Sequence, residues 1–189
     1  MAKNIFNFRK SSEENFKKIY EANFNYVYSF IYSRVAGNKE VTEDIVQETF
    51  LSAFKGETKF KGISSYKTWL CGIARNKILN HYRDSIKNDK LSYIDELDCM
   101  ENTADAEMSV INDESRKIVL DTLNNIKPVY SCALILKYMD EYSVKEIAEF
   151  LCKTPKSIDG ILQRAKVSFK KEYIKILGEE SYERRRKVF

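Results

Sequence analysis

Apolar side chains recur at three- and four-residue spacing along most of the chain, in runs separated by short polar breaks, and this period predicts helices throughout. Ser11 followed by Glu14 has the form of a capping box, so the first helix is predicted to start there, with Phe16, Ile19, Tyr20, Val27, Phe30 and Ile31 at helical spacing behind it. AGN at 36–38 breaks it. VTEDIVQETFLSAF then predicts a second helix with Ile45, Val46, Phe50, Ala53 and Phe54 inward and Glu43, Asp44, Gln47 and Glu48 on the opposite side. That acidic side reads either as a solvated face or as a docking surface for a basic partner. A loop with Gly, Ser and Lys, centred on Phe60, leads into a third helix, SYKTWLCGIARNKILNHYR, residues 65–83.

The third helix carries two stripes. Leu70, Ala74 and Ile78, with Cys71 beside them, make an ordinary core face. Trp69, Gly72, Asn76, Asn80 and Arg83 fall on another, mixing the only Trp with two amides and a guanidinium. Trp69, at the start of that stripe, reads as a core anchor spanning helices in preference to a member of the stripe's contact surface.

Further along, residues 116–126 predict a helix with Ile118, Val119, Leu123 and Ile126 inward, and Pro128 suits the first turn of the next, PVYSCALILKYMD. The stretch VKEIAEFLCKTPKSIDGILQRA has helix-turn-helix spacing: Val144, Ile147, Ala148 and Leu151 inward on one helix, Lys153 and Thr154 in the turn, Ile158, Leu162 and Ala165 inward on the next. Such a pair presents its second helix to a DNA major groove. Lys156, Ser157, Asp159, Gln163 and Arg164 are then candidate base contacts, and Lys166, Lys170 and Lys171 are placed for phosphates. A plain helical hairpin with a solvated charged face is the competing reading, and the basic residues crowding the second helix favour DNA.

Composition agrees with an all-α protein: six Gly and two Pro in 189 residues are too few for a turn-rich sheet fold, and 43% apolar content supports packed cores. The net charge of +4 conceals a segregation. Residues 1–90 hold 16 Lys and Arg against 10 Asp and Glu, residues 91–115 hold none against 8, and residues 116–189 again hold 16 against 10. Two basic domains, 1–86 and 114–189, are therefore expected on either side of an acidic flexible linker, 87–113. The longest aliphatic run is far too short for a bilayer and the start MAKNIFNFRK has no signal core, which predicts a cytoplasmic protein without membrane insertion. Cys71, Cys99, Cys132 and Cys152 form no CxxC pair and His81 is the sole histidine, so no metal, cofactor or disulfide framework is expected. With no phosphate-cradling Gly loop either, an enzyme is disfavoured. Taken alone, the helix-turn-helix is also compatible with a dimeric transcriptional regulator that binds duplex DNA without polymerase.

TEDIVQETFLSAF, SYKTWLCGIARNKILNHYR, the acidic segment and YSVKEIAEFLCKTPKSIDGILQRAK, in that order, resemble regions two and four of bacterial sigma factors of the extracytoplasmic-function (ECF) group. The resemblance covers roughly residues 12–84 and 114–173. It implies a subunit that binds core RNA polymerase, through the β′ clamp helices and the β flap, and directs it to promoter DNA. It implies docking by Asp44, Gln47 and Glu48, and capture of a flipped minus-ten base by the loop from Glu57 to Ser65 together with Asn76. It implies, too, that the second helix of the helix-turn-helix enters the minus-35 groove. An anti-sigma factor often holds members of the family inactive. Physically, an extruded base needs a shaped pocket and groups that bond its exposed edge, and an Asn amide offers a donor and an acceptor. Phe60 is placed as a wall or stacking surface, with Lys61, Lys67, Lys77, Asn80 and Arg83 completing a minus-ten surface. The chain departs from the family in having Cys152 where a Gly is usual at the turn, and Asp159 and Ile161 where basic or small polar residues are frequent.

Overall fold

In a computed structural model the backbone is described for residues 2–56, 60, 62–88 and 113–186, and side chains for 14–56, 60, 62–88 and 114–178. Seven helices follow in order among these residues: α1 Ala2–Arg34, α2 Lys39–Gly56, α3 Tyr66–Asn88, α4 Asp113–Asn125, α5 Pro128–Tyr138, α6 Val144–Leu151 and α7 Pro155–Arg186. The chain divides into two compact units, residues 1–81 and 82–189. Of the acidic connector expected over 87–113, residues 89–112 lie outside the described residues, and Lys87 and Asn88 belong to α3.

In the first unit α1 is already helical at Ala2, so Ser11 sits within it and the predicted capping box is not a helix start. A Ser-x-x-Glu pattern is also compatible with a helix interior, where Ser and Glu cost only tenths of a kcal/mol, roughly, against Ala. The break falls where predicted. Ala36 and Gly37 both take left-handed backbone, φ 53° and 73°, and the Gly37 N–H donates to the Tyr32 carbonyl at 2.9 Å, closing the helix end. Asn38 then caps α2: its Oδ1 accepts from the Val41 N–H at 3.1 Å, and its carbonyl accepts from the Thr42 hydroxyl at 2.6 Å.

Val27, Ile31, Ala53, Leu70 and Ala74 are fully enclosed in the core of this unit, with Ile45, Val46, Phe50 and Ile78 nearly so. Phe54 differs from expectation. It lies on the last turn of α2, stays 43% exposed, and meets Phe16 edge to face at 5.1 Å.

In the second unit α4, α5 and α6 pack on α7. Pro128 opens α5 as predicted. Ile118, Leu123 and Ile126 are buried, while Val119 is half-buried and the fully buried neighbour is Thr122, its hydroxyl bonded to the Ile118 carbonyl at 2.6 Å. On α6 Ile147 and Ala148 are buried, joined by Phe150; Val144 and Leu151, at the ends of an eight-residue helix, are half-buried. Ile158, Leu162 and Ala165 form the inner face of α7.

Candidate nucleic-acid and polymerase interface

The acidic side of α2 is solvent-facing: Glu43, Asp44, Gln47 and Glu48 are all exposed, and Leu51, 53% exposed, extends the row one turn further. The row follows from helix geometry, since the opposite positions Ile45, Val46 and Phe50 are taken up by the core.

Across from it, α3 starts with Ser65 as its cap, whose Oγ accepts from the Thr68 N–H at 3.1 Å. The two stripes separate as the sequence predicts. Leu70, Ala74 and Ile78 face inward, while Gly72, Asn76, Asn80 and Arg83 are exposed. Trp69 does not enter the core: it is half-buried, and its ring lies 5.1 Å from Phe60 and 6.4 Å from Tyr66. Phe60 in turn stacks on Tyr66 at 4.3 Å with an interplanar angle of 22°. Tyr66, which sequence reasoning left out, thus forms an aromatic cluster with Phe60 and Trp69. The signal was available, because SYKTW places Tyr66 and Trp69 three apart on one helix face. Lys61 and Glu57 lie outside the described residues.

The predicted cations are distributed differently from expectation. Lys67 is exposed, with its ammonium 4.2 Å from the Tyr26 ring centre. Lys77 pairs with Glu48 at 3.0 Å, joining a residue assigned to DNA with one assigned to polymerase. Arg83 falls within the second unit, where its guanidinium lies over the Phe150 ring at 4.3 Å and its Nε donates to the Phe150 carbonyl at 3.3 Å.

The helix-turn-helix is built locally. Ser143 caps α6 by accepting from the Glu146 N–H at 3.3 Å, and the Glu146 carboxylate accepts from the Ser143 N–H at 2.8 Å and from its hydroxyl at 2.7 Å. The Ser143 hydroxyl, followed by its backbone N–H, holds the Glu146 carboxyl below its ordinary range. Cys152 takes φ 53° and ψ 44° at the end of α6, the left-handed conformation that its place in the turn requires. Thr154 caps α7, its Oγ1 accepting from the Ser157 N–H at 3.2 Å. From there Lys156, Asp159, Gln163, Arg164, Lys170 and Lys171 are exposed on α7, and Ser157 and Lys166 are half-buried. The Lys166 ammonium lies 5.6 Å from the Tyr138 ring centre. Ile161 is only 5% exposed and belongs to the inner face of α7, while Asp159 is exposed on its outer side.

Among the described residues no group of three or more His, Cys, Asp and Glu is arranged to hold a metal, and no helix is long and apolar enough to cross a membrane. Three described cysteines, Cys71, Cys132 and Cys152, are free thiols.

Comparison with known proteins joins the two units into one functional class, the promoter-recognition subunits of bacterial RNA polymerase. Residues 19–87 match the family model for sigma-70 region 2, and residues 116–168 match that for sigma-70 region 4. The RNA polymerase sigma factor YlaC of Bacillus subtilis is 31% identical over 145 residues, spanning 75% of this chain and 82% of that one. The ECF RNA polymerase sigma factor BldN of Streptomyces coelicolor is 30% identical over 138 residues, 72% of this chain and 52% of the other. A solved structure of the sigma factor RpoE in complex with the anti-sigma factor NepR, from Bartonella quintana, aligns with TM-score 0.44 and 19% identity over 84% of this chain and 96% of that one. The chain belongs to the sigma-70 family, among the sigma factors of the ECF group. As such it binds core RNA polymerase and directs promoter-specific transcription initiation.

Proposed function

We propose that this sigma factor divides its work between a promoter-melting domain, 1–86, and a minus-35 domain, 114–189, joined by the acidic segment 87–113. The exposed face of α2, with Asp44, Gln47 and Glu48, docks on the basic β′ clamp helices, and the second domain meets the β flap. The observation that carries the reading is the outer stripe of α3. Asn76 stands exposed on a helix whose other face is fully buried, on the same stripe as the Phe60–Tyr66–Trp69 aromatic cluster, so an amide and aromatic surface are held together where an unpaired strand can meet both.

In this reading Asn76 bonds the edge of one flipped minus-ten base, while Lys61, Lys67, Lys77, Asn80 and Arg83 hold the backbone around it. Lys77 leaves Glu48 to do so. On α7 Lys156, Ser157, Asp159, Gln163 and Arg164 read the minus-35 groove, with Asp159 accepting from a cytosine amino group, and Lys166 and Lys170 contact phosphates. The subunit performs no bond chemistry of its own, uses no cofactor, and acts in the cytoplasm, where an anti-sigma factor occupies the same surfaces in its inactive state.

The test is reconstitution. Purified chain is mixed with core RNA polymerase, separated by gel filtration, and assayed by runoff transcription. Co-elution with transcripts that depend on a defined promoter supports the reading. A free dimer that shifts duplex DNA and leaves core polymerase inactive would replace it with the regulator alternative.

A further inference from the structure

The ion pair between Lys77 and Glu48 is built across two helices because neither helix offers its own member an opposite charge within one turn. Glu48 has Ile45 and Leu51 at a distance of three residues and Asp44 and Ser52 at four, so its nearest charged neighbour on α2 is a second carboxylate, which repels it at that spacing. Lys77 has Ala74 and Asn80 at three and Ile73 and His81 at four, and no Asp or Glu occurs from residue 58 to 83. The attraction is satisfied between the helices instead, with the Lys77 ammonium 3.0 Å from the Glu48 carboxylate. The Lys77 side chain is 30% exposed against 60% for Glu48, so the lysine is the more enclosed member of the pair.

This contact lies where two surfaces meet. Glu48 shares the exposed side of α2 with Asp44 and Gln47, and Lys77 follows the exposed Asn76 on α3. A basic protein surface arriving at α2 competes with Lys77 for Glu48, and a phosphate arriving at α3 competes with Glu48 for Lys77. Whichever ligand binds first breaks the pair and bears that cost, and the second finds its residue already released. Two ligands that each break the same contact therefore favour one another without any movement of the backbone, and by linkage the factor is the same in both directions. Its size is set by the worth of the pair, which for partly exposed ions screened by salt is at most about five-fold in affinity.

We propose that the Lys77–Glu48 pair is an electrostatic latch that couples polymerase docking to capture of the melted strand: in the free chain it withholds Lys77 from DNA, and engagement of Glu48 by core polymerase releases Lys77 to a phosphate. The inference rests on the docking and strand-capture roles proposed above and adds a dependence of one on the other. Asn76 is exposed and stands outside the pair, so the latch governs a backbone contact and leaves base recognition ungated.

The experiment compares the free full chain with holoenzyme assembled from it and core polymerase, each binding an end-labelled single-stranded oligonucleotide of the non-template minus-ten strand, followed by fluorescence anisotropy from low to high salt. Lys77→Gln should weaken binding to holoenzyme several-fold and make the slope of log affinity against log salt shallower by roughly 0.7, the share of one phosphate contact, while changing the free chain much less. Glu48→Gln should raise the affinity of the free chain by up to about five-fold at low salt, and the gain should vanish in the Lys77→Gln background. Asp44→Asn removes the same charge one turn away and should give no comparable gain. An equal loss from Lys77→Gln in the two states overturns the proposal, and so does a gain from Asp44→Asn that matches Glu48→Gln, since the effect is then one of general charge. Absence of any loss from Lys77→Gln in holoenzyme overturns it as well, by removing Lys77 from the strand. Failure of the underlying reading shows elsewhere: Asn76→Ala on the same oligonucleotides reports base capture, and co-elution of Asp44→Lys with core polymerase reports docking, so neither can be mistaken for loss of the latch.

Discussion

The Lys77 ammonium lies 3.0 Å from the Glu48 carboxylate, tying the outer side of α3 to the acidic face of α2. Their side chains are 30% and 60% exposed, so solvent and salt screen the pair and its worth is about 0–1 kcal/mol. A double-mutant cycle of Glu48→Gln and Lys77→Met, read by urea unfolding, should give a coupling of less than about 1 kcal/mol that shrinks as salt is added. A larger coupling that persists in salt would make the pair a structural tie and not an exchangeable contact. The pair also bears on function, because Lys77 can serve a phosphate only by leaving Glu48. Reversing Asp44→Lys is therefore the cleaner probe of docking. It should abolish co-elution with core polymerase while helicity and melting temperature stay near wild type.

Cys152 sits at φ 53° and ψ 44° in the helix-turn-helix. An L-residue in this conformation carries a cost of about 1–2 kcal/mol, while Gly brings roughly 0.5–1 kcal/mol of extra backbone entropy to lose on folding. The strain is the larger effect. Cys152→Gly should raise stability by about 0.5 kcal/mol in chemical denaturation, and Cys152→Val should lower it by more than about 1 kcal/mol, since β-branching is least tolerated at positive φ. If Cys152→Gly destabilises the unit, the thiol makes a contact that outweighs the strain.

Periodicity carried the fold a long way. The inner faces Leu70–Ala74–Ile78 and Ile158–Leu162–Ala165 were legible because a helix with one buried side must repeat apolar residues at its own pitch. What it could not carry is identity at the edges of a stripe. Phe54 and Ile161 are both apolar residues on helices, and whether each is enclosed depends on the neighbouring helix, which leaves Phe54 against Phe16 at the surface and seals Ile161. Local capping was not legible: Ser11 and Glu14 looked like a start and are helix interior, while the Ser143–Glu146 box, which has the same spacing and was not singled out from the sequence, caps α6 with all its bonds made. The site residues were selected by chemistry, by spacing and by the resemblance to the family, but their pairings were not. Nothing in one helix tells that Lys77 meets Glu48 or that Phe60 stacks on Tyr66, because those contacts form only when separate segments assemble.

The Ser143–Glu146 box predicts a pH dependence. Glu146 has its folded carboxyl pKa below the ordinary value, chiefly through the Ser143 hydroxyl and then the Ser143 N–H. A depressed folded pKa means that the stabilisation is present above the ordinary carboxyl pKa and is lost as pH falls through the folded one. Carboxyl-detected NMR should therefore show Glu146 titrating below the ordinary glutamate value. In Ser143→Ala the resonance should return to the ordinary range, and the acid-side loss of α6 protection from amide exchange should flatten. An unchanged Glu146 titration in that variant would assign the shift to another cause.

Asn76 carries the most specific expectation. It is exposed, lies on the opposite side of α3 from the buried Ala74–Ile78 face, and contributes nothing to the core of the first unit. Its removal should leave folding and core-polymerase binding intact. If its amide bonds the edge of one flipped base, Asn76→Ala should weaken open-complex formation by about 1–3 kcal/mol on promoters carrying the preferred base, and by much less on promoters already lacking it. A promoter series varied at each minus-ten position, read by permanganate reactivity and runoff transcription, should show discrimination lost at one position and kept at the others. A template with a preformed bubble supplies the control, because bypassing strand opening does not restore a missing base contact. Uniform weakening across the series would make Asn76 a backbone contact. A fall in melting temperature together with core binding, with discrimination intact, would make it structural. The sequence-dependent pattern alone is diagnostic of base capture, since neither a phosphate contact nor a packing role can distinguish one base from another.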